Sequence, residues 1–291
     1  MNAAALLHPR VSSEEVEPFR SATCAVHVLE DLNGSGQLDA ALIFGGDGTV
    51  HRYLPELCRR KTPVLVVPKG SGNDFAKSLG IQDEAAALRA WKLFCQSGGA
   101  NVMDIDVGVI RSDGLEVPFC CVAGVGLDSM ANASANRMPA WLRGTAGYLL
   151  AALQAVFAFR SSQFSIATAE RRIAGPGLLV AVGNAHRYGH GMKIAPRAEL
   201  NDGLLDVCFV GDMNRLKLLC CVPTIFFGGH LGIRQVEYLK TASLRIEADR
   251  PLELYADGEY VCRTPAEIGL WPHAFRVIVP GGQHDLARKV P

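Results

Sequence analysis

The sequence predicts an α/β chain of two domains, an α/β domain over residues 1–110 followed by a β-rich domain over 111–280. Two patterns carry that expectation. The first hundred residues alternate short apolar runs with polar, helix-forming segments, the rhythm of parallel strands joined by crossover helices. Beyond residue 110 the pattern changes to strand-like runs divided by glycine and charged turns. A chain of 291 residues that is 49% apolar and 20% charged has enough core for two domains, which excludes disorder and collagen-like fibre.

In the first domain the predicted strands are Ala3 to Leu7, Cys24 to Leu29, Ala40 to Phe44, Pro63 to Val67 and Val102 to Val109. Ser12 or Ser13 followed by Glu14 and Glu15 reads as an N-cap with acidic first-turn residues. A second helix runs over Asp83 to Cys95 and stops before Gly98 and Gly99. In the second domain strands are expected over Pro118 to Ala123, Phe164 to Ala167, Gly177 to Gly183, Leu204 to Val210, Ala242 to Ile246, Leu252 to Ala256 and Phe275 to Val279. One helical excursion lies around 139 to 160, and the boundary falls near 108 to 115. No repeat of fixed period interrupts this order.

Charge and cysteine content narrow the function classes. With 29 basic and 29 acidic side chains the net charge is zero, so no overall field draws in nucleic acid and any polyanion must meet a local site. Nine cysteines without a Cys-x-x-Cys spacing speak against zinc and against a disulfide scaffold, and reduced thiols point to the cytosol. The N-terminal run Ala3 to Leu7 lacks a basic flank, unlike a secretion signal. Tyr148 to Phe159 and Leu216 to Phe227 are apolar but too short to span a bilayer. The second, flanked by Arg215 and Lys217, suits either core packing or contact with a membrane surface.

The densest local signal is Gly45, Gly46, Asp47, Gly48, Thr49, placed between an apolar strand and a predicted helix. Glycines let backbone N–H groups approach phosphate oxygens, and the helix N-terminus adds partial positive charge. The carboxylate of Asp47 among them suggests a bound magnesium ion or an ion pair. The same grammar recurs after the next strand, in Pro68, Lys69, Gly70, Ser71, Gly72, Asn73, Asp74 and Phe75. Two such loops at the carboxyl ends of successive strands can face one ligand, although neither matches a P-loop or a dinucleotide fingerprint.

These residues resemble the bacterial diacylglycerol kinase-like lipid kinases, relatives of sphingosine and ceramide kinases. The family's Gly-Gly-Asp-Gly-Thr loop is matched by residues 45 to 49, and its Pro-x-Gly-Thr/Ser-x-Asn-Asp-Phe-Ala-Arg stretch by Pro68 to Lys77. Asp106 with Gly108, Gly124 to Asp128, Asn184 to Val207, and Asp257 to Glu259 resemble further family segments. The resemblance implies an N-terminal three-layer α/β nucleotide-binding domain, joined by the tail 281–291, and a C-terminal mainly antiparallel β-sandwich domain. It also implies ATP- and magnesium-dependent phosphorylation of a lipid hydroxyl, with the nucleotide between the two domains and an apolar cleft in the second for the lipid chain.

Site roles follow from the same resemblance. Gly45, Gly46, Asp47, Gly48, Thr49, Val50 and His51, with Gly70, Ser71, Gly72, Asn73 and Asp74, would hold ATP, and Asp47, Asp74 and Asp106 would surround its phosphates. Glu259 would be the general base beside Asp257, with Asp47 the third catalytic carboxylate. A structural magnesium ion is implied at Glu199, Asp202 and Leu204. From the residues alone, Asn201-Asp202-Gly203 and Asp257-Gly258 read as turns. Expected partners are ATP and a lipid met in transient contact with the inner membrane surface by a cytoplasmic protein. A homodimer is possible and nucleic acid is not expected.

The chain also departs from the family pattern. His8-Pro9-Arg10 stands where a glycine-containing turn is usual, and Arg52 where a carboxylate is common. Arg52 suits a phosphate or Asp47 as partner, or weakens the site. NAD kinase, which shares the first loop, and a nucleotide-binding regulatory protein with impaired catalysis are the alternatives. His186 and His190 lack a third ligand for zinc, and with Arg187 and Lys193 they form a cationic group suited to a phosphate or lipid headgroup.

Overall fold

The computed structural model describes residues 1–33, 35–137, 154, 156–189 and 191–281. The fold divides into two compact units, Met1–Ile105 with His273–Pro291, and Asp106–Pro272. Most of the tail 281–291 and of the expected helix at 139 to 160 lies outside the described residues.

The first unit is built on a parallel sheet. Its strands are β1 (Asn2–Leu7), β2 (Ala25–Leu29), β3 (Ala40–Gly45) and β4 (Val64–Pro68), in the order β2-β1-β3-β4. Val64 of β4 pairs in parallel with Val277, within the last strand of the chain, β15 (Ala266–Ile278). Every residue of β3 is buried, as its unbroken apolar run requires of a central parallel strand. Because β1 lies between β2 and β3, the chain reverses its direction of travel across the sheet there. Such reversals open a ligand crevice at the carboxyl ends of the strands.

Helix α1 (Asp47–Arg60) follows β3, the short α2 (Asp74–Ser78) follows β4, and α3 (Glu84–Ser97) returns to the sheet. Asp83 caps α3 by accepting from the Ala86 N–H at 2.7 Å, and Gly98 closes it at φ 63°. The segment after Ser12 is a 3-10 helix, Ser13–Phe19, with Ser12 and Glu15 forming a capping box. Pro18 has no N–H to continue an α-helical ladder there.

The second unit is an antiparallel sandwich. Its strands are β5 (Val102–Ser112), β6 (Leu115–Phe119), β7 (Val122–Gly126), β8 (Ser162–Thr168), β9 (Arg172–Gly183), β10 (Leu205–Gly211), β11 (Val236–Thr241), β12 (Leu244–Ala248), β13 (Glu253–Ala256), β14 (Glu259–Arg263) and β15. Within this unit β5 contributes Asp106–Ser112 and β15 contributes Ala266–Pro272. The second half of β9 lies between β7 and β10, while its first half pairs with β8. The strand passes from one sheet to the other around Gly175 and Gly177. A Cβ on Gly177 would lie 2.3 Å from the Phe209 ring, so only glycine lets that ring close the core. Phe119, Phe164, Val180, Val207, Ile246 and Leu254 fill the interior.

Several elements differ from the sequence expectation. Pro118 to Ala123 is not one strand: β6 ends at Phe119 and β7 begins at Val122, because the N–H groups of Cys120, Cys121 and Val122 turn to the Asp257 carboxylate. Val236–Thr241 forms a strand where none was expected, and the strand expected at Ala242 begins at Leu244. Helix α5 (Arg215–Ile225) covers most of Leu216 to Phe227, and α4 (Leu127–Arg137) follows β7. Among the described residues no helix is long and apolar enough to cross a membrane. None of the nine cysteines is in a disulfide, and burial pushes the Cys58 and Cys208 thiols up to about 12, so these two act as core hydrophobes.

Candidate active site

In the first unit the two glycine loops meet. A Cβ on Gly70 would lie 2.6 Å from the Gly46 Cα, and one on Gly46 would lie 3.0 Å from the Gly70 Cα, so backbone rests on backbone. Gly45 faces the Thr49 side chain, where a Cβ would be 2.4 Å from Oγ1. None of these glycines needs a positive φ; the left-handed residue is Asn73, at φ 55°. Its side chain accepts from Gly70 N–H at 2.8 Å and donates to Gly70 C=O at 2.7 Å, folding the second loop onto itself. Asparagine is one of the few residues other than glycine that tolerate this conformation.

Asp47 ties the loops together. Its carboxylate accepts from the Phe75 N–H at 2.9 Å and the Asp74 N–H at 3.1 Å, the first backbone donors of α2. The residue expected beside the phosphates thus braces the second loop against the first. Asp74 is 4% exposed, Gly72 and His51 lie at intermediate depth, and Ser71 is exposed. Lys69 pairs with Glu15 and Glu84, and Lys77 donates to Gly72 C=O at 2.7 Å, so both lysines support the loop. Arg52 is exposed, its guanidinium 5.4 Å from the Tyr53 ring centroid. After β1, His8 C=O accepts from Val11 N–H at 2.9 Å, a tight turn formed without glycine.

In the second unit Asp257 and Gly258, at φ 50° and 89°, form the turn between β13 and β14, with Ala256 paired to Glu259. The Asp257 carboxylate accepts from Cys120 N–H at 2.7 Å, Cys121 N–H at 2.8 Å and Val122 N–H at 3.2 Å. Glu259 is exposed two residues on. Asn184, fully buried, donates to the C=O groups of Asp106 and Cys120 at 2.9 and 3.0 Å, extending the same network. The carboxylate of Asp128 covers Gly124, whose Cβ would lie 1.9 Å from Oδ2. Contact of this kind explains the glycine of the Gly-x-Gly-x-Asp segment. Sequence reading missed the Cys120–Val122 clasp, since backbone donors leave no trace in residue type.

Asp106 is fully buried and accepts from Gly203 N–H at 2.8 Å, so it holds the turn at 200–203. In that turn Asp202 accepts from Leu204 N–H at 3.1 Å and from the Lys240 ammonium at 2.7 Å, while Glu199 is exposed. Lys240 also lies 3.8 Å from Asp206, whose buried carboxyl accepts from Tyr238 at 2.7 Å. Burial pushes Asp206 up to about 6. Among the described residues no three His, Cys, Asp or Glu side chains converge as a metal site. The partner that Asp202 has in this structure is the Lys240 ammonium, and Leu204 would offer a cation its backbone carbonyl. His186 accepts from the Arg187 Nε–H at 3.1 Å; His190 lies outside the described residues.

Comparison with known proteins adds the family. Residues 2–108 match the diacylglycerol kinase catalytic domain, and residues 121–279 match the YegS C-terminal NAD kinase beta sandwich-like domain. The chain is 34% identical over 264 residues to a diacylglycerol kinase of Mycobacterium tuberculosis, covering 88% of this chain and 81% of that one. The chain belongs to the bacterial diacylglycerol kinase-like lipid kinase family. It is a phosphotransferase with an alcohol group as acceptor. This lipid kinase is also 26% identical over 248 residues to a diacylglycerol kinase of Bacillus subtilis, covering 84% and 78% of the two chains. Among solved structures, a diacylglycerol kinase from Bacillus anthracis superposes with TM-score 0.70 at 19% identity, over 96% of both chains. An NAD kinase from Archaeoglobus fulgidus, in complex with ATP, superposes at 0.58 and 11% identity over 99% and 97%. Both likenesses show the fold.

Proposed function

We propose that the protein transfers the γ-phosphoryl group of ATP, taken as its magnesium complex, to the hydroxyl of a diacylglycerol-like lipid at the cytoplasmic face of the membrane. Residues 1–110 supply the nucleotide loops, and residues 111–280 supply the acceptor side. The reading rests most on the Asp257-Gly258 corner, a two-residue turn pinned through three backbone donors that carries the exposed carboxylate of Glu259. A base held on a rigid corner suits removal of a proton from an acceptor hydroxyl. Glu259 takes that proton, the hydroxyl oxygen bonds to the γ-phosphorus, and the bond to the β-phosphate oxygen breaks to release ADP. Gly45 to His51 and Gly70 to Asp74 line the place of the nucleotide phosphates, with Asp47 fixing the spacing of the two loops.

The test is phosphoryl transfer from labelled ATP with magnesium to vesicles carrying diacylglycerol, monoacylglycerol, ceramide or sphingosine, with NAD offered in parallel. A phosphorylated diacylglycerol, absent with Glu259→Gln, is expected. Formation of NADP, or turnover unchanged in Glu259→Gln, overturns the reading.

A further inference from the structure

Helix α5 and the turn after it are apolar on both faces. Leu218 and Cys221 are buried, and Leu218 packs in a cluster with Val156, Phe159 and Leu178, joined by Met130, Leu219 and Val222. The opposite face carries Leu216, Cys220, Pro223 and Phe227, spaced at i, i+4, i+7 and i+11. All four are exposed, Leu216 by 74% and Phe227 by 85%. A helix that is apolar all round belongs in a core or against lipid, and only one side of this one has a core. Phe157, beside Val156 in the packed cluster, is 54% exposed as well.

Along the sequence, the charges on and just after α5 are basic, between Asp212 and Glu237. No acidic residue occurs from Met213 to Val236, a stretch that carries Arg215, Lys217 and Arg234. None occurs from Ser129 to Ala169 either, where Arg137, Arg143 and Arg160 are the charged residues. Lys217 donates to Gln235 at 2.6 Å, and among the described residues neither it nor Arg215 has an ion pair. A second copy of the chain on a twofold axis would set these cations against themselves. An anionic bilayer supplies both the negative charge and the apolar layer.

We propose that the exposed face of α5, ending at Phe227, is the segment through which the protein docks on anionic membrane, Leu216 and Phe227 entering the acyl boundary while Arg215 and Lys217 meet lipid phosphates. This deepens the lipid-kinase reading by naming the surface that reaches the acceptor's bilayer, and it rests on that reading only for its purpose. The full-length protein is sedimented with vesicles of phosphatidylcholine alone or mixed with phosphatidylglycerol. Wild type is expected to bind the anionic vesicles. Leu216→Ser with Phe227→Ser should weaken binding roughly tenfold or more. Arg215→Glu with Lys217→Glu should weaken it at least about fivefold per residue at low salt.

Because all four positions are exposed, melting curves and turnover of a water-soluble short-chain diacylglycerol should match wild type. Cys220 should react with a maleimide in free protein and be protected by anionic vesicles. Vesicle binding unchanged in both double variants overturns the proposal. So does a Cys220 that is unreactive without vesicles, or a dimer that the variants dissociate, since each means that protein covers the face. If no lipid is phosphorylated while the variants still lose vesicle binding, the docking surface stands and the kinase reading falls.

Discussion

Asp257 and Glu259 are separated by one glycine, yet their surroundings assign them different tasks. Asp257 is an acceptor only, with Oδ1 taking the N–H groups of Cys121 and Val122 and Oδ2 that of Cys120. Glu259 is exposed at the start of β14. In Asp257→Asn an NH₂ group must face at least one N–H donor, and the lost charge-assisted bonds should destabilise the fold by about 2 kcal/mol, read as a lower urea midpoint. Glu259→Gln keeps shape and exposure, so its midpoint should match wild type while kcat falls roughly 10² to 10⁴-fold. A stable, inactive Asp257→Asn beside an active Glu259→Gln would exchange the two roles.

At the scale of elements, the glycine loops were legible in sequence as a pair, but the reason for their glycines was not. Spacing after two strands pointed to a shared ligand, and the strand order β2-β1-β3-β4 places both loops at the carboxyl end of the sheet. The contact of Gly46 with Gly70 is long-range, and nothing in either motif announces that one glycine exists to admit the other. The same limit hid the break between β6 and β7: residues 118 to 123 are apolar enough for one strand, and only a carboxylate from a distant hairpin diverts their N–H groups. Charge reading also missed Lys240, whose ammonium occupies the turn where the family pattern suggested a metal ion. Gly70→Ala follows from the loop contact. The added methyl meets backbone and the Asn73 Oδ1 at 2.9 Å, neither of which can swing aside. A loss of about 1 to 3 kcal/mol is expected by denaturant unfolding, together with weaker ATP binding by calorimetry. Gly114→Ala has open space at its Cβ and pays only for φ 80°, so it should lose stability without losing ATP affinity.

Across the whole molecule, the parallel-then-antiparallel architecture could be read from hydrophobic periodicity because local pattern and fold agree along most strands. The passage of β9 between sheets could not, since Gly175, Pro176 and Gly177 look like any turn until Phe209 is placed against them. The acid response of the folded state is another property that only the assembled structure sets, and His186 should contribute to it. Burial, then the charges of Arg187 and Lys193, push this imidazole down to about 4 from an ordinary value near 6.5. Its neutral Nε2 accepts from the Arg187 guanidinium, a bond that protonation removes. Between those two pH values the unfolded chain holds more protons at this site than the folded one. Stability therefore rises with pH across the window and is lost as pH falls from about 6.5 towards 4. The slope from one such group approaches ~1.4 kcal/mol per pH unit at its steepest. His186→Gln keeps an acceptor for Arg187 and cannot titrate, so urea unfolding at pH 7 and pH 4.5 should give a smaller acid loss than in wild type. An equal loss in both proteins would place the acid sensitivity elsewhere.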